Sequence, residues 1–322
     1  MIKSKNIRKK IGLINNRLRL VKNTRLKSVK SILSGSGMLS GKRVRGLLVL
    51  LTAETKMRIN TRILNTAAAI ELLHHATLIH DDIIDDSASR RGGRTLNRSL
   101  GRELSVLAGD YLFSRVVSLM TGGGRRALFS LFAETVKDIC EGEIEEVYNR
   151  FNPGISEKHY YAIIRKKTAS LIEASVKAGA IEAGIYGAKR RHLADFGRNI
   201  GMAFQIKDDI LDVVSSEGRL GKPAGRDIDE GKITLPLILA LNAAESKEKA
   251  AVKKLFAGGK KRSSSKKITE FIRQKQGGTL ALREAERFVK KAEESLDRAL
   301  KNSGPAKKGL IETAYYIIKR KN

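Results

Sequence analysis

Apolar residues in this chain fall into helix-length blocks rather than into strict alternation. Leu47 to Leu51 is a continuous aliphatic stretch, and residues 61 to 86 are rich in Ala, Leu and Ile without Gly or Pro. The first predicts a buried helix, the second a long helix buried nearly all round. Residues 1 to 30 mix Ile, Leu and Val with Lys and Arg at roughly helical spacing, which predicts a short amphipathic helix. Ser99 to Met120 and Ala127 to Val147 predict two more helices around Thr121-Gly122-Gly123-Gly124. After the turn at Asn152-Pro153-Gly154 a helical stretch runs from Ile155 through Leu171, another covers Gly197 to Val214, and residues 235 to 322 return to helices. No β pattern and no glycine-rich nucleotide loop stands out. The expectation is an all-α chain whose residues 1–322 form one domain of ten or more helices.

Two of these helices end in carboxylates. The long one closes on His80-Asp81-Asp82-Ile83-Ile84-Asp85-Asp86, and a second D-D-x-x-D occurs in Gln205-Ile206-Lys207-Asp208-Asp209-Ile210-Leu211-Asp212. On a helix, i and i+4 lie one above the other, so Asp81 with Asp85 and Asp208 with Asp212 each form a two-oxygen ledge. Such ledges suit Mg²⁺, which takes a few protein oxygens and completes its octahedron with waters and substrate phosphates. A single D-D-x-x-D is an ordinary charged helix end. Two copies, each on an apolar helix and each followed by a basic loop, are not. Arg90 and Arg91 follow the first; Lys222, Asp227 and Lys232 follow the second, and Lys167 and Lys207 add further positive charge. Lys42 and Arg45, three apart at the start of the first buried helix, share a face and can clamp a phosphate.

Charge and composition narrow the partner. Of the formal net charge of +29, most sits at the ends: residues 1 to 53 carry 14 Lys/Arg and no Asp/Glu, residues 245 to 322 carry 22 against 9, and the middle is nearly neutral. Aromatics are only 5%, which argues against nucleic acid, since basic grooves that bind it interleave stacking rings. Peripheral contact with an anionic membrane surface through the basic segment 1–30 is the other reading of these ends. No run approaches the roughly 18 to 20 apolar residues that span a bilayer, no apolar signal segment follows the basic start, and Cys140 is the one cysteine; a cytoplasmic protein is expected, with Cys140 as a small buried hydrophobe.

These residues carry a resemblance. The stretches Gly41-Lys42-Arg43-x-Arg45, His74-x-Ala76-Thr77-Leu78-Ile79-His80-Asp81-Asp82-x-x-Asp85, Arg90-Arg91-Gly92, Gly109-Asp110, Glu141-Gly142-Glu143, Lys167-Thr168-Ala169, Phe204-Gln205-x-x-Asp208-Asp209-x-x-Asp212, and Gly221-Lys222-Pro223 through Asp227 to Gly231-Lys232-x-Thr234-Leu235-Pro236 occur in the order seen in trans-type polyprenyl diphosphate synthases. The chain resembles that family over nearly its whole length, most strongly from about residue 41 to 240. The resemblance implies a homodimer of mostly antiparallel helices around a central cavity, with the two Asp motifs facing across it. Asp81, Asp82 and Asp85, with Asp208, Asp209 and Asp212, would bind Mg²⁺, three ions with substrate present. Arg90, Lys167, Thr168, Gln205 and Lys222 would contact the allylic diphosphate, Lys42, Arg45, His74 and Arg91 would hold isopentenyl diphosphate, and Lys232 would be a further substrate-binding cation. Asp81, Asp82, Asp85, Lys167, Asp208 and Lys222 are the implied catalytic set for ionisation, condensation and proton loss. His75 and His80 read as core histidines; only the resemblance promotes His74. Two departures stand out: Gly46 where the family usually has Pro, and Glu146 where Gln is common.

Product length is partly legible. One helical turn rises about 5.4 Å, close to an isoprene unit, and the positions one turn before Asp81 are the small Ala76 and Thr77, with no aromatic block. A medium- or long-chain product is therefore expected, with Leu72, Leu73 or Ile70 as floor elements. The alternatives are a short-chain synthase, a catalytic subunit of a heteromeric synthase, and, from another class, a basic membrane-surface or nucleic-acid binder.

Overall fold

The computed structural model describes residues 5–21, 24–35, 41–90, 93–120, 126–214, 225–257, 262–301 and 304–318. These are almost entirely helical and group into two compact units. The first gathers Met1–Ala133, Ala174–Ala194 and Leu296–Tyr316; the second Glu134–Glu173, Asp195–Ser295 and Ile317–Asn322.

The first unit is built on α4 (Thr61–Ile84), which packs against α1 (Lys5–Val21), α3 (Val44–Glu54), α5 (Leu96–Leu100) and α6 (Arg102–Met120). Its composition explains the central position. Ala67, Ala68, Ala69, Ile70, Leu72, Leu73 and Ala76 are all fully buried, so the helix has no solvated face over three turns. Each Ile or Leu side chain so buried contributes about 1.5–3 kcal/mol, each Ala methyl less. Asn60 caps its start, accepting from the Ile63 amide at 3.0 Å. The buried Glu182 fastens its first turns, with Arg62 Nε at 2.7 Å and the Thr66 hydroxyl at 2.6 Å. The helix stops one residue before the third aspartate of its motif: Asp85 is the C-cap, and the following Asp86 turns to φ 46°.

The amphipathic segment expected over residues 1 to 30 is two helices, α1 and α2 (Lys27–Gly35). Ile7, Ile14 and Leu18 of α1 and Leu33 of α2 are buried, so their apolar stripes belong to the core. The loop expected after Asp86 contains a two-residue antiparallel ladder, Ser89 with Arg94 and Arg90 with Gly93. Such a short pairing leaves no alternation in the sequence to detect. Cys140, expected to be buried, is exposed on α7 (Arg126–Tyr148); its thiol is nevertheless pushed up by partial desolvation and by Glu143.

In the second unit α8 (Glu157–Ile164) leads into a π-turn, Arg165–Ala169, and then α9 (Ser170–Glu182). The helix expected over Gly197 to Val214 is the end of a longer one, α10 (Gly187–Val214). Short helices α11 (Arg226–Asp229) and α12 (Leu235–Asn242) follow, then α13 (Ser246–Ala257), α14 (Arg262–Gln274) and α15 (Gly277–Ala299); α16 (Pro305–Ile318) returns to the first unit. Ile206, Ile210 and Val213 of α10 form one core with Leu235, Leu237, Ile268, Ile272, Ala281 and Ala285.

Candidate active site

In the first unit the two aspartates that could form a ledge, Asp81 and Asp85, are partly exposed, and the amide of Asp85 donates to the carbonyl of Asp81 at 2.9 Å. Asp82 differs. It is 7% exposed, and Arg90 Nε lies 2.9 Å from both of its oxygens, across the short ladder. Arg90, expected to meet a diphosphate, thus reaches the motif already paired to its second carboxylate.

The loop before α3 is held from inside. Arg43 adopts a left-handed conformation, φ 55°, and its buried guanidinium donates to Asn15 of α1 at 2.7 Å and meets His75 Nε2 at 3.0 Å. His75 is the core histidine expected. The neighbouring Lys42 stays exposed, 5.2 Å from the ring centre of Tyr316, and Arg45 is half-buried. Gly46 has a physical reason: its amide donates to Glu71 Oε1 at 2.8 Å, a bond proline could not make. His80, expected in the core, is only half-buried, 3.3 Å from the Val106 carbonyl and 3.7 Å from Asp110. His74 is also half-buried, its ring 5.9 Å from that of His75. Ala76 is fully buried, whereas Thr77 is half-buried and donates to the His74 carbonyl at 2.9 Å.

The second unit gathers more of the expected residues. Lys167 and Thr168 lie on the π-turn, an irregularity frequent at functional sites. Two glycines let helices close on it: a Cβ on Gly142 of α7 would sit 2.4 Å from the Lys167 amide nitrogen, and one on Gly201 of α10 would sit 2.5 Å from Ala169 Cα. On the α7 side, Glu141 pairs with Lys166 at 2.6 Å and Glu143 with Lys167 at 2.7 Å. On the α10 side, the Thr168 hydroxyl donates to Gln205 Oε1 at 2.7 Å, Gln205 Nε2 donates to Asp209 Oδ1 at 2.8 Å, and the Tyr160 hydroxyl donates to Asp209 Oδ2 at 2.6 Å. Thr168, Gln205 and Asp209 are therefore one hydrogen-bonded chain, ending on a tyrosine that sequence reasoning missed. Tyr160 lies two turns before Lys167, a same-face spacing that was the available signal.

Asp208 and Asp212 are partly exposed, like Asp81 and Asp85. Asp212 accepts from the Asp227 amide at 3.1 Å, so the polar loop delivers Asp227 and Lys232 beside the motif, as expected. Lys222 and Arg91 lie outside the described residues. Burial dominates the electrostatics here. It pushes Asp209 up to about 7 against the opposing hydrogen bonds from Tyr160 and Gln205, and raises Asp212 against the amides of Asp227 and Arg226. Asp227, half-buried beside Asp212 and Asp209, is raised well above its ordinary value, first by desolvation and then by those two carboxylates. Tyr160 is raised well above its ordinary value, first by burial and then by Asp209. A cavity of about 100 Å³ opens among Glu146, Tyr160, Lys167, Gln205, Asp209, Asp227 and Lys232, with Ile163, Ile164 and Ile233 on its apolar walls.

Burial raises these carboxyls, so a cation beside them would favour their ionised form, and all-oxygen donors suit a hard one. Among the described residues no three ligating side chains converge on one point.

The chain is 33% identical to the octaprenyl diphosphate synthase of Escherichia coli over 285 residues, 87% of this chain and 86% of that one. It is 37% identical to the short chain isoprenyl diphosphate synthase of Methanothermobacter thermautotrophicus over 288 residues, 88% of this chain and 87% of the relative. The crystal structure of a Caulobacter crescentus polyprenyl synthase, complexed with calcium and isoprenyl diphosphate, superposes with a TM-score of 0.91 at 30% identity, covering 99% of this chain and 97% of that one. The polyprenyl synthetase family model matches residues 27–274, and the chain belongs to that family.

Proposed function

We propose that this protein condenses isopentenyl diphosphate head-to-tail onto an allylic diphosphate and makes a medium- or long-chain all-trans polyprenyl diphosphate. The observation that carries the reading is the hydrogen-bonded chain from Thr168 through Gln205 to Asp209, set beside Lys167 at the mouth of a buried cavity. Asp81, Asp85, Asp208 and Asp212 would hold Mg²⁺, which when bound supplies positive charge for the leaving diphosphate. Asp82 and Asp209, buried and held by protein donors, anchor the motifs. Lys167, Lys232 and Arg90, with Lys222, bind the allylic diphosphate, while Lys42, Arg45, His74 and Arg91 hold isopentenyl diphosphate.

In the reaction the allylic carbon–oxygen bond breaks with its electron pair leaving on the diphosphate, and the isopentenyl double bond adds to the allylic cation. A proton then passes to the released diphosphate. The cations act by preorganised charge, which is worth most where water is excluded. Incubation with Mg²⁺, labelled isopentenyl diphosphate and allylic primers of several lengths yields labelled polyprenyl products; their absence with every primer overturns the reading.

The small buried Ala76, one turn before Asp81, supports the longer product over the short-chain alternative. Ala76→Phe shortens the product; an unchanged product length would sink that assignment. A homodimer is supported by the exposed apolar side chains Leu104, Leu107 and Val117 on α6, and Leu107→Arg shifts the protein toward monomer in sedimentation. Among the described residues no helix is long and apolar enough to cross a membrane. Peripheral contact would use a basic face with the exposed Leu20 and Leu26, because the apolar stripe of α1 is already buried. Vesicles with and without anionic lipid test it, with Arg25→Glu/Lys27→Glu abolishing any pull-down.

A further inference from the structure

The cations of the second unit are committed before any ligand arrives. Lys167 Nζ lies between Glu143 at 2.7 Å and Glu146 at 2.5 Å, and the same Glu146 oxygen stands 3.7 Å from Lys232 Nζ. Lys232 in turn pairs with Glu230 at 2.8 Å, and Glu230 with Arg226 at 2.6 Å. Three carboxylates and three cations alternate in a ladder. Glu146 lies near the centre of this ladder and touches both cavity lysines. Lys167 and Lys232 are 17% and 12% exposed and Glu146 is 20% exposed, so these pairs are weakly screened and solvent does not readily replace a lost partner.

Lys167 and Lys232 are the described lysines lining the cavity, and a diphosphate entering there needs them. It can take them only by displacing a carboxylate that then sits beside a polyanion. Glu146 and diphosphate therefore compete for the same two ammonium groups. The carboxylate is covalently present at the site, so it returns to the lysines as soon as the ligand loosens. This matters most for an enzyme adding many units, because inorganic diphosphate must leave the allylic subsite before each further addition.

We propose that Glu146 is a displaceable latch on Lys167 and Lys232 that speeds expulsion of spent inorganic diphosphate and resets the site between additions. The proposal rests on the reading above that these lysines serve the allylic diphosphate.

The probe is inorganic diphosphate itself, titrated calorimetrically into the full-length protein at fixed Mg²⁺ and ionic strength. Glu146→Gln keeps the shape and removes the charge; it binds diphosphate about tenfold more tightly, and inorganic diphosphate becomes a correspondingly stronger inhibitor of elongation. Glu143→Gln, which frees only one side of Lys167, gives a smaller tightening. Unchanged or weaker binding in Glu146→Gln overturns the latch, and so does tighter binding without stronger inhibition. Lys167→Met separates the two failures: wild-type diphosphate affinity in that variant sinks the site assignment, whereas lost affinity there with a neutral Glu146→Gln sinks the latch alone. Should Glu146→Gln melt early, Glu146→Asp, whose shorter arm reaches the lysines less well, tightens binding in the same direction, and failure to do so counts against the proposal.

Discussion

Asp82 and Asp209 hold the same place in two identical D-D-x-x-D spacings and are comparably buried, at 7% and 3% exposure, yet they are stabilised by different chemistry. Asp82 is gripped by a guanidinium, two oxygens against Arg90 Nε. Asp209 is gripped by neutral donors, the Tyr160 hydroxyl and the Gln205 amide, and burial pushes it up to about 7. The first motif thus brings its own counter-charge, whereas the second has hydrogen bonds without charge compensation at its anchor. In both, the outer aspartates stay partly exposed while the middle one is turned into the protein. Repetition of a motif therefore preserved which carboxylate anchors and which faces out, but not how the anchor is neutralised.

The comparison breaks most visibly at the outer positions. Asp81→Ala and Asp208→Ala each lower kcat by roughly a hundred- to a thousandfold, measured with saturating primer. If both motifs serve one departing diphosphate, the double variant loses much less than the product of the two factors, because groups acting as a unit are not additive.

The anchors come next and should differ from each other. Arg90→Met leaves Asp82 buried without its cation; because Arg90 is itself 36% exposed, the loss of stability is held to about 1–2 kcal/mol, read by urea denaturation. Tyr160→Phe removes one neutral donor at a similar cost of about 1–2 kcal/mol. Only Tyr160→Phe moves the titration of Asp209, and it moves it upward, since the hydroxyl favours the anion. A mild variant of either kind with no change in stability would mean that the anchor is not holding its motif.

The smallest effect is a dependence on pH. A carboxyl raised from 3.8 to about 7 keeps its proton in the fold where the unfolded chain has lost it. Between those values the folded state binds more protons, so the metal-free protein loses stability from this group as pH rises through the window and regains it on acidification. Asp209→Asn mimics the protonated form. Metal-free, it melts a few degrees above the parent at pH 8, and the gap narrows steadily toward pH 4. A gap independent of pH between those values would overturn the raised titration of Asp209.

Much of this was legible in residue order. The Ala-, Leu- and Ile-rich stretch from residue 61 to its aspartates, free of Gly and Pro, specified α4, its burial and the end at which its carboxylates emerge. Two D-D-x-x-D spacings and the Lys167-Thr168 pair specified the type of chemistry. Local pattern carries such information because helix periodicity places i and i+4 together whatever the rest of the chain does.

The tertiary structure decided what lies opposite each of those residues. Arg90 meets Asp82 across the turn that follows α4, and Tyr160 of α8 reaches Asp209 of α10, forty-nine residues away. Glu146 became the partner of two lysines because glycine at 142 lets α7 press against the π-turn. The apolar stripe of α1, Ile7, Ile14 and Leu18, packs into the core. None of these pairings has a periodicity, since each depends on the packing of elements far apart in the chain, and burial, which sets the protonation of Asp209 and Asp227, exists only once that packing is complete.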